Sequence, residues 1–254
     1  MRTWILLSAA ASCLLAQSSE QRANYQSNWP CTGKERTFDP VYLHTAEATG
    51  GQLFLFDKSE TSGFTTIAIQ TPKHPATIAR SVGRLENYLD IRVPIDPSIE
   101  SLYVSTTVQC LQRVILWDPQ IIEVLPQQIG GEDHVFRAVR ISIIPKPAPG
   151  IWTIRVLGTG SYSLVVQAKT NLNFSAKFSN QNITALTSAT APRFRLVTET
   201  GDPLQPLDLL PAGPGRYSGT VMAPPQPFRI LMENTEEQGQ TVQRLDPRLF
   251  NSGR

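Results

Sequence analysis

Cysteine and histidine are scarce in this 254-residue chain, three of each. His44, His74 and His134 are scattered, and none has a second histidine or a cysteine at zinc-ligand spacing, so no metal site is expected and each reads as a surface or loop residue. Neither sign of charge dominates, with 23 basic and 21 acidic residues giving a net charge of +2. No clustered basic footprint is left for a nucleic acid to bind. Beyond the first sixteen residues no run approaches the roughly 20 apolar residues of a membrane helix, so no transmembrane anchoring is expected. The chain also lacks a G-x-S-x-G elbow, a paired-carboxylate signature and an H-E-x-x-H helix. The expectation is therefore no catalytic residue, no cofactor and no enzyme.

What is present begins with MRTWILLSAAASCLLA. One positive charge at Arg2, an apolar run from Trp4 to Ala16 and small residues before a cut after Ala16 read as an export signal over residues 1–16. The polar stretch that follows, and the shortness of the run, argue against an anchored helix. The expected location is secreted and extracellular, or periplasmic in a Gram-negative bacterium. Because Cys13 falls inside the signal, processing leaves Cys31 and Cys110 in an oxidising compartment, where two thiols are able to bridge. Sequence alone cannot place them within bonding distance, so the pairing stays open.

The remainder of the chain is rich in proline and glycine, 20 and 16 residues, spread between short β-branched runs. That texture favours β-sandwiches over helical bundles. Residues 39–49 permit a short helix ended by Gly50-Gly51, followed by the strand QLFLFD. A second short helix over 59–70 is weakened by Gly63 and by Thr65-Thr66-Ile67. From residue 76 the runs ATIARSV, LENYLDIRVPI, SLYVSTTVQC, RVILWDP, HVFRAVRISII, GIWTIRVLG and SYSLVVQAK read as one sandwich of about a hundred residues. In it Gly158-Thr159-Gly160 supplies a tight turn. A further β unit over 171–254 has the strands NFSAKFS, ALTSA, RFRLVTE, GRYSGTVM, PFRILMEN and TVQRL, with the size and spacing of an immunoglobulin-like sandwich.

Candidate sites are few. Asp57-Lys58-Ser59-Glu60-Thr61 satisfies the D-x-S-x-S/T pattern of a magnesium adhesion site, but the chain turns β-rich too soon for that fold, and a solvated turn is expected. Asn173 and Asn182 head N-x-S/T acceptors for glycosylation, meaningful only in a eukaryotic secretory pathway. Trp117 and Trp152 sit on alternating strands and read as core. The polar, Gly-containing stretches Gln127–Asp133 and Thr159–Tyr162 are the candidate ligand loops.

Several stretches resemble hemicentins and related extracellular proteins. Tyr42–Glu60, YLHTAEATGGQLFLFDKSE, is similar to the last helix, Gly-Gly turn and final strand of their von Willebrand factor A domain, which puts Asp57 at the end of the last strand, away from that fold's metal site. DIRVPIDPSIESLYVSTT, ILWDP and PGIWTIRVLGTGSYSLVV are similar to the region described there as galactose-binding-domain-like. GRYSGTVMAPPQPFRILMENTEEQGQTVQRLDPRLF resembles the Ig-like module that follows it. Behind the export signal over 1–16, the resemblance implies a mainly β chain: linker and short α/β remnant of the A domain 17–75, galactose-binding-domain-like sandwich 76–169, and Ig-like sandwich 170–254. The body of the A domain is absent, so metal-dependent adhesion does not carry over. The functional expectation is a secreted, non-catalytic adhesion module that recognises an extracellular protein or glycan. The alternative is a structural spacer without a ligand of its own.

Overall fold

The computed structural model describes residues 2–7, 13–17, 40–57, 60, 65, 75–172, 174–235 and 241–251. Its secondary structure is mainly β, in several antiparallel sheets. Residues 2–7 and 13–17 of the apolar N-terminal stretch are extended. Strands β1 (Arg2–Leu7) and β2 (Cys13–Gln17) pair with each other.

Helix α1 (Pro40–Thr49) starts on a proline, whose missing N–H is no loss at a first helical position. It stops at Gly50, whose φ of +71° is the left-handed cap that glycine adopts without strain. Strand β3 (Gln52–Asp57) follows, as expected, and pairs antiparallel with β1. Its alternation buries Leu53 and Leu55 beside Ala46 of α1, and Phe54 and Phe56 beside Val139 and Ile141. The second expected helix, over 59–70, falls on residues of which only Glu60 and Thr65 are described.

The next unit contains β4 (Ala76–Leu85), β5 (Tyr88–Ile95), β6 (Ile99–Trp117), β7 (Glu132–Val135), β8 (Val139–Pro145) and β9 (Gly150–Thr170). Two long strands build both layers. The first half of β6 and the second half of β9 pair with each other and with β8 and β4, while the other halves pair together beside β5. Ile78, Val93, Leu102, Leu116, Trp152 and Val166 fill the space between the layers. The tight turn expected at Gly158-Thr159-Gly160 is thus corrected to a bend within β9. At Gly158 an added Cβ would lie 2.3 Å from the Cys110 carbonyl oxygen, and Gly160 has φ +90°, so the two glycines let β9 change layers without reversing. Register shifts at Val108/Cys110 and Leu111/Arg113 bend β6 opposite them, which joins two runs that the sequence had separated. HVFRAVRISII is conversely two strands, because Phe136 N–H donates to the Val139 carbonyl at 2.7 Å and turns the chain inside an apolar run.

The final unit is a β-sandwich of two four-stranded sheets. One contains β10 (Phe174–Ser179), β11 (Asn182–Thr187), β14 (Leu210–Gly213) and β15 (Arg216–Thr220). The other contains β12 (Arg193–Val197), β13 (Pro203–Leu207), β16 (Arg229–Thr235) and β17 (Thr241–Leu245). Ile183, Ala185, Leu196, Phe228, Ile230 and Val242 meet between them. Strands β13 and β14 escaped the sequence reading because Pro203, Pro206 and Pro211 lie in them. Both are edge strands, where a missing N–H disrupts no ladder.

Buried ion pairs join these parts. Glu47 of α1 accepts from Arg80 of β4 at 2.5 and 2.8 Å through one carboxylate oxygen, and its other oxygen pairs with Arg229 of β16. Asp96, which follows β5, accepts from Arg244 of β17 at 2.7 Å, and Ser98 Oγ accepts from the same guanidinium at 3.1 Å. Burial pushes Arg80 down to about 9 and Arg229 down to about 10, which leaves both charged at neutral pH.

Candidate functional site

The layer formed by β5, the first half of β9 and the second half of β6 has one face in the core and one in water. Leu89, Ile91 and Val93 alternate with Tyr88, Asp90 and Arg92 along β5, and Trp152, Ile154 and Val156 alternate with Ile151, Thr153 and Arg155 along β9. Registration places Asp90 opposite Arg155, Arg155 opposite Ile115, and Thr153 opposite Trp117. The outward residues of β9 are therefore held by a two-sided backbone ladder, with β5 on one side and the second half of β6 on the other.

Arg155 lies at the centre of this face. Its Nε and Nη2 donate to the two oxygens of Asp90 at 2.7 and 2.6 Å. Its guanidinium carbon stands 5.0 Å from the Tyr88 ring centroid and 5.0 Å from that of Trp117. The planar fork is thus fixed by a carboxylate along its edge and flanked by aromatic rings, a combination that removes most of the freedom of a long cationic side chain. The bidentate contact holds the Asp90 carboxyl below its ordinary value and Arg155 above its own.

Exposed apolar side chains lie at the Trp117 end of the face. Ile151 beside it is 50 % exposed, and the turn after Trp117 presents Ile121 at 81 % and Ile122 at 60 %. That turn is not loose. Asp118 Oδ1 accepts from the N–H groups of Gln120 and Ile122, both at 2.9 Å, and Ile121 is held at φ +65°. Arg113 and Glu123 add an exposed pair at 2.7 Å. A surface fixed by ladder and side-chain hydrogen bonds that shows aromatic, arginine and aliphatic groups together has the composition of a protein interface core.

The loops expected to bind ligand are built differently. Gln127–Asp133 is no flexible loop: Pro126–Ile129 is a 3-10 helix, Gly130 caps it at φ +73°, and Glu132 and Asp133 belong to β7. A Cβ at Gly131 would lie 2.1 Å from the Ile143 carbonyl oxygen, so the glycine there serves close packing. Thr159–Tyr162 lies within β9, and the buried Tyr162 hydroxyl bonds Ser81 Oγ at 2.9 Å. Trp152 is core as expected, its indole N–H donating to the Ala148 carbonyl at 2.8 Å, but Trp117 is corrected to the outer face, against Arg155.

His134 and Ser142 point to opposite faces of the β7–β8 ladder. His134 meets Glu132 at 3.1 Å, whereas Ser142 donates to Asp133 at 2.9 Å on the side where Asp133 pairs with Arg140. No Ser–His–acid relay forms there. Among the described residues no three His, Cys, Asp or Glu side chains converge as a metal site would need. Asp57 closes β3, and Lys58, Ser59 and Thr61 lie outside the described residues, as do His74, Cys31 and Asn173. Cys110 lies at the bend of β6 and is disulfide-bonded. Asn182 is exposed at the β10–β11 turn, where its amide donates to the Asn180 carbonyl and its oxygen accepts from Thr220. The described part of the second sandwich also has a shallow cavity of about 330 Å3 beside Phe174, Leu186 and Pro214, with no charged side chain in its lining.

The cluster of Tyr88, Asp90 and Arg155 went unnoticed at the sequence level. Its signal was present: the wet positions of two amphipathic strands carry an aromatic residue, a carboxylate and an arginine where a solvated face usually has small polar groups.

No family model matches the chain. Among curated proteins it is similar to hemicentin-1 of Homo sapiens and of Mus musculus, each 19% identical over 170 residues that make up 66% of this chain and 3% of the relative. The chain thus spans a small fraction of those proteins, and the relation to such extracellular proteins is a distant one. Among solved structures it is similar to a Bacillus licheniformis lipase, BlEst2, in propeptide form, with 11% identity, 68% of this chain and 40% of that chain covered, and a TM-score of 0.38. With a lipase among the matches, the expectation that the chain is not an enzyme is corrected and does not stand. At that TM-score the likeness assigns neither a fold nor an activity. Among the described residues no helix is long and apolar enough to cross a membrane.

Proposed function

We propose that the chain is an extracellular binding module, exported by its N-terminal segment with cleavage after Ala16, that engages a partner protein through the open face of β5, β9 and β6. In this reading the first sandwich is galactose-binding-domain-like and the second Ig-like. The observation that carries it is the fixed Arg155, held by Asp90 between Tyr88 and Trp117 and bordered by exposed isoleucines. The distant relation to hemicentin-1 supports the extracellular setting.

A protein partner suits this surface better than a sugar. The Arg155 fork is already taken up by Asp90 and the exposed neighbours Ile121, Ile122 and Ile151 are aliphatic, whereas sugar sites surround a stacking ring with convergent hydrogen-bonding groups. The test is binding of the secreted protein to arrayed extracellular proteins and arrayed glycans, repeated with Arg155→Ala and Tyr88→Ala. Saturable protein binding that falls by about tenfold or more in both variants supports the proposal. Binding that both variants retain, or binding confined to glycans, overturns it.

One observation favours a second reading, a rigid spacer. The Arg80–Glu47–Arg229 bridge through α1 and the Asp96–Arg244 pair link the two sandwiches, as a positioning element requires. A blank on both arrays, with the two sandwiches rigidly coupled in solution scattering, selects it.

A further inference from the structure

Strand β3 is apolar on both faces and buried, with Leu53, Phe54, Leu55 and Phe56 each no more than 2 % exposed. Its side chains are anchored under α1 on one side and over β8 on the other. Its backbone is satisfied in a different way. Among the described residues the one strand paired with β3 is β1, in a register that runs from Arg2 opposite Asp57 to Leu7 opposite Gln52.

Cleavage after Ala16, part of the reading proposed above, removes β1 and nearly all of β2 in one cut. The side chains of β3 keep their place, but its edge N–H and C=O groups lose the strand that pairs them. Water is then the partner of groups that β1 had paired, and an added strand replaces it with a continuous ladder. An open edge of this kind is a template for another chain.

We propose that β3 of the processed protein is an acceptor edge for an extended apolar segment of a partner chain, added antiparallel in the position that β1 holds in the precursor. The chemistry of the occupant follows from β3 itself. A strand buried on both faces needs a neighbour that is apolar at successive positions rather than at alternate ones. RTWILL has that character, with Trp4 opposite Leu55 and Ile5 opposite Phe54. The partner therefore offers a run of similar length, free of proline and of charge at its centre.

The test uses the full-length gene product recovered from a secreting culture, and intact mass first establishes whether residues 1–16 are present. On processed protein, hydrogen exchange over residues 52–57 is followed alone, with a synthetic peptide that carries RTWILL between lysine tails, and with a control peptide in which proline replaces the isoleucine. The expected result is exchange about tenfold or more slower with the first peptide and unchanged with the control. Equal exchange in all three samples overturns the acceptor edge. If the mass instead shows residues 1–16 retained, the cleavage reading fails by itself, and the edge is tested by Ile5→Pro in the same gene. Faster exchange over 52–57 that the RTWILL peptide reverses then supports an acceptor edge, and unchanged exchange overturns it.

Discussion

Glu47 and Arg229, 182 residues apart in the sequence, meet in a buried ion pair that ties α1 to the second sandwich while the other oxygen of Glu47 holds Arg80 of the first. One carboxylate is therefore shared by two guanidinium groups that are both closed to solvent. Such a pair is weak evidence for net stabilisation, since well-packed apolar residues often replace it without loss. Removing only its acid is costly, because the desolvated cations stay behind. Glu47→Gln is expected to lower unfolding stability by about 3–5 kcal/mol. Urea denaturation checks this through a reduced midpoint at unchanged slope. A change below about 1 kcal/mol would show that water reaches the pair.

Arg244 joins Asp96, Ser98 and the Leu172 carbonyl, so it crosses directly from β17 to the first sandwich and to the connection between the two. All four tryptophans lie before residue 171, so their fluorescence reports on the N-terminal parts alone, while far-ultraviolet dichroism reports on every strand. In the unaltered protein the two probes are expected to give one coincident transition. Arg244→Ala is expected to separate them, with the second sandwich unfolding first because it loses both the pair and the anchoring of its last strand. Coincident transitions in the variant would show that apolar contact alone couples the sandwiches.

The parts of this fold that the sequence reveals are those encoded over a few neighbouring residues. The helix before Gly50, the strand QLFLFD and the alternation of IWTIRV each follow from local spacing, and each is found. What escaped depends on distant partners. Gly158 reads as a turn because two glycines nearly always permit one, yet the Cys110 carbonyl against it belongs to a strand that bends in concert. The prolines of β13 and β14 argue against strands unless the strands are known to lie at edges. For the candidate face the same limit applies. Trp117 and Tyr88 come from strands that are not neighbours, and only the β9 ladder between them brings both to Arg155.

The face should respond to acid. Asp90 is held below its ordinary value of 3.8 by hydrogen bonds from Arg155, so its charged form is favoured in the folded protein. A carboxylate depressed on folding contributes stability that is present above the unfolded value and is lost as pH falls through the folded one. Above its ordinary value the contact is therefore intact, and Asp90 protonates and releases Arg155 from its place between the rings only as pH falls through the lower value it has in the folded protein. A change in tryptophan fluorescence below pH 4 that is absent in Asp90→Asn is the expected result. An identical titration in that variant would assign the change to another group.

Cys110 closes a disulfide at the bend where β6 passes between layers, beside the Gly158 contact. The chain has three cysteines, and the proposed export cut removes Cys13, so the processed protein retains Cys31 alone as a partner. A bridge between Cys31 and Cys110 would tie the segment before α1 to the middle of the first sandwich, closing a long loop of the unfolded chain. A disulfide typically contributes about 2–4 kcal/mol, toward the upper end for a long loop. Peptide mapping of the secreted protein without reduction is expected to recover one cross-linked pair containing Cys31 and Cys110, and reduction is expected to lower the melting temperature. A cross-link from Cys110 to Cys13 would instead show that the N-terminal segment is retained, and would contradict cleavage after Ala16 as well as the pairing.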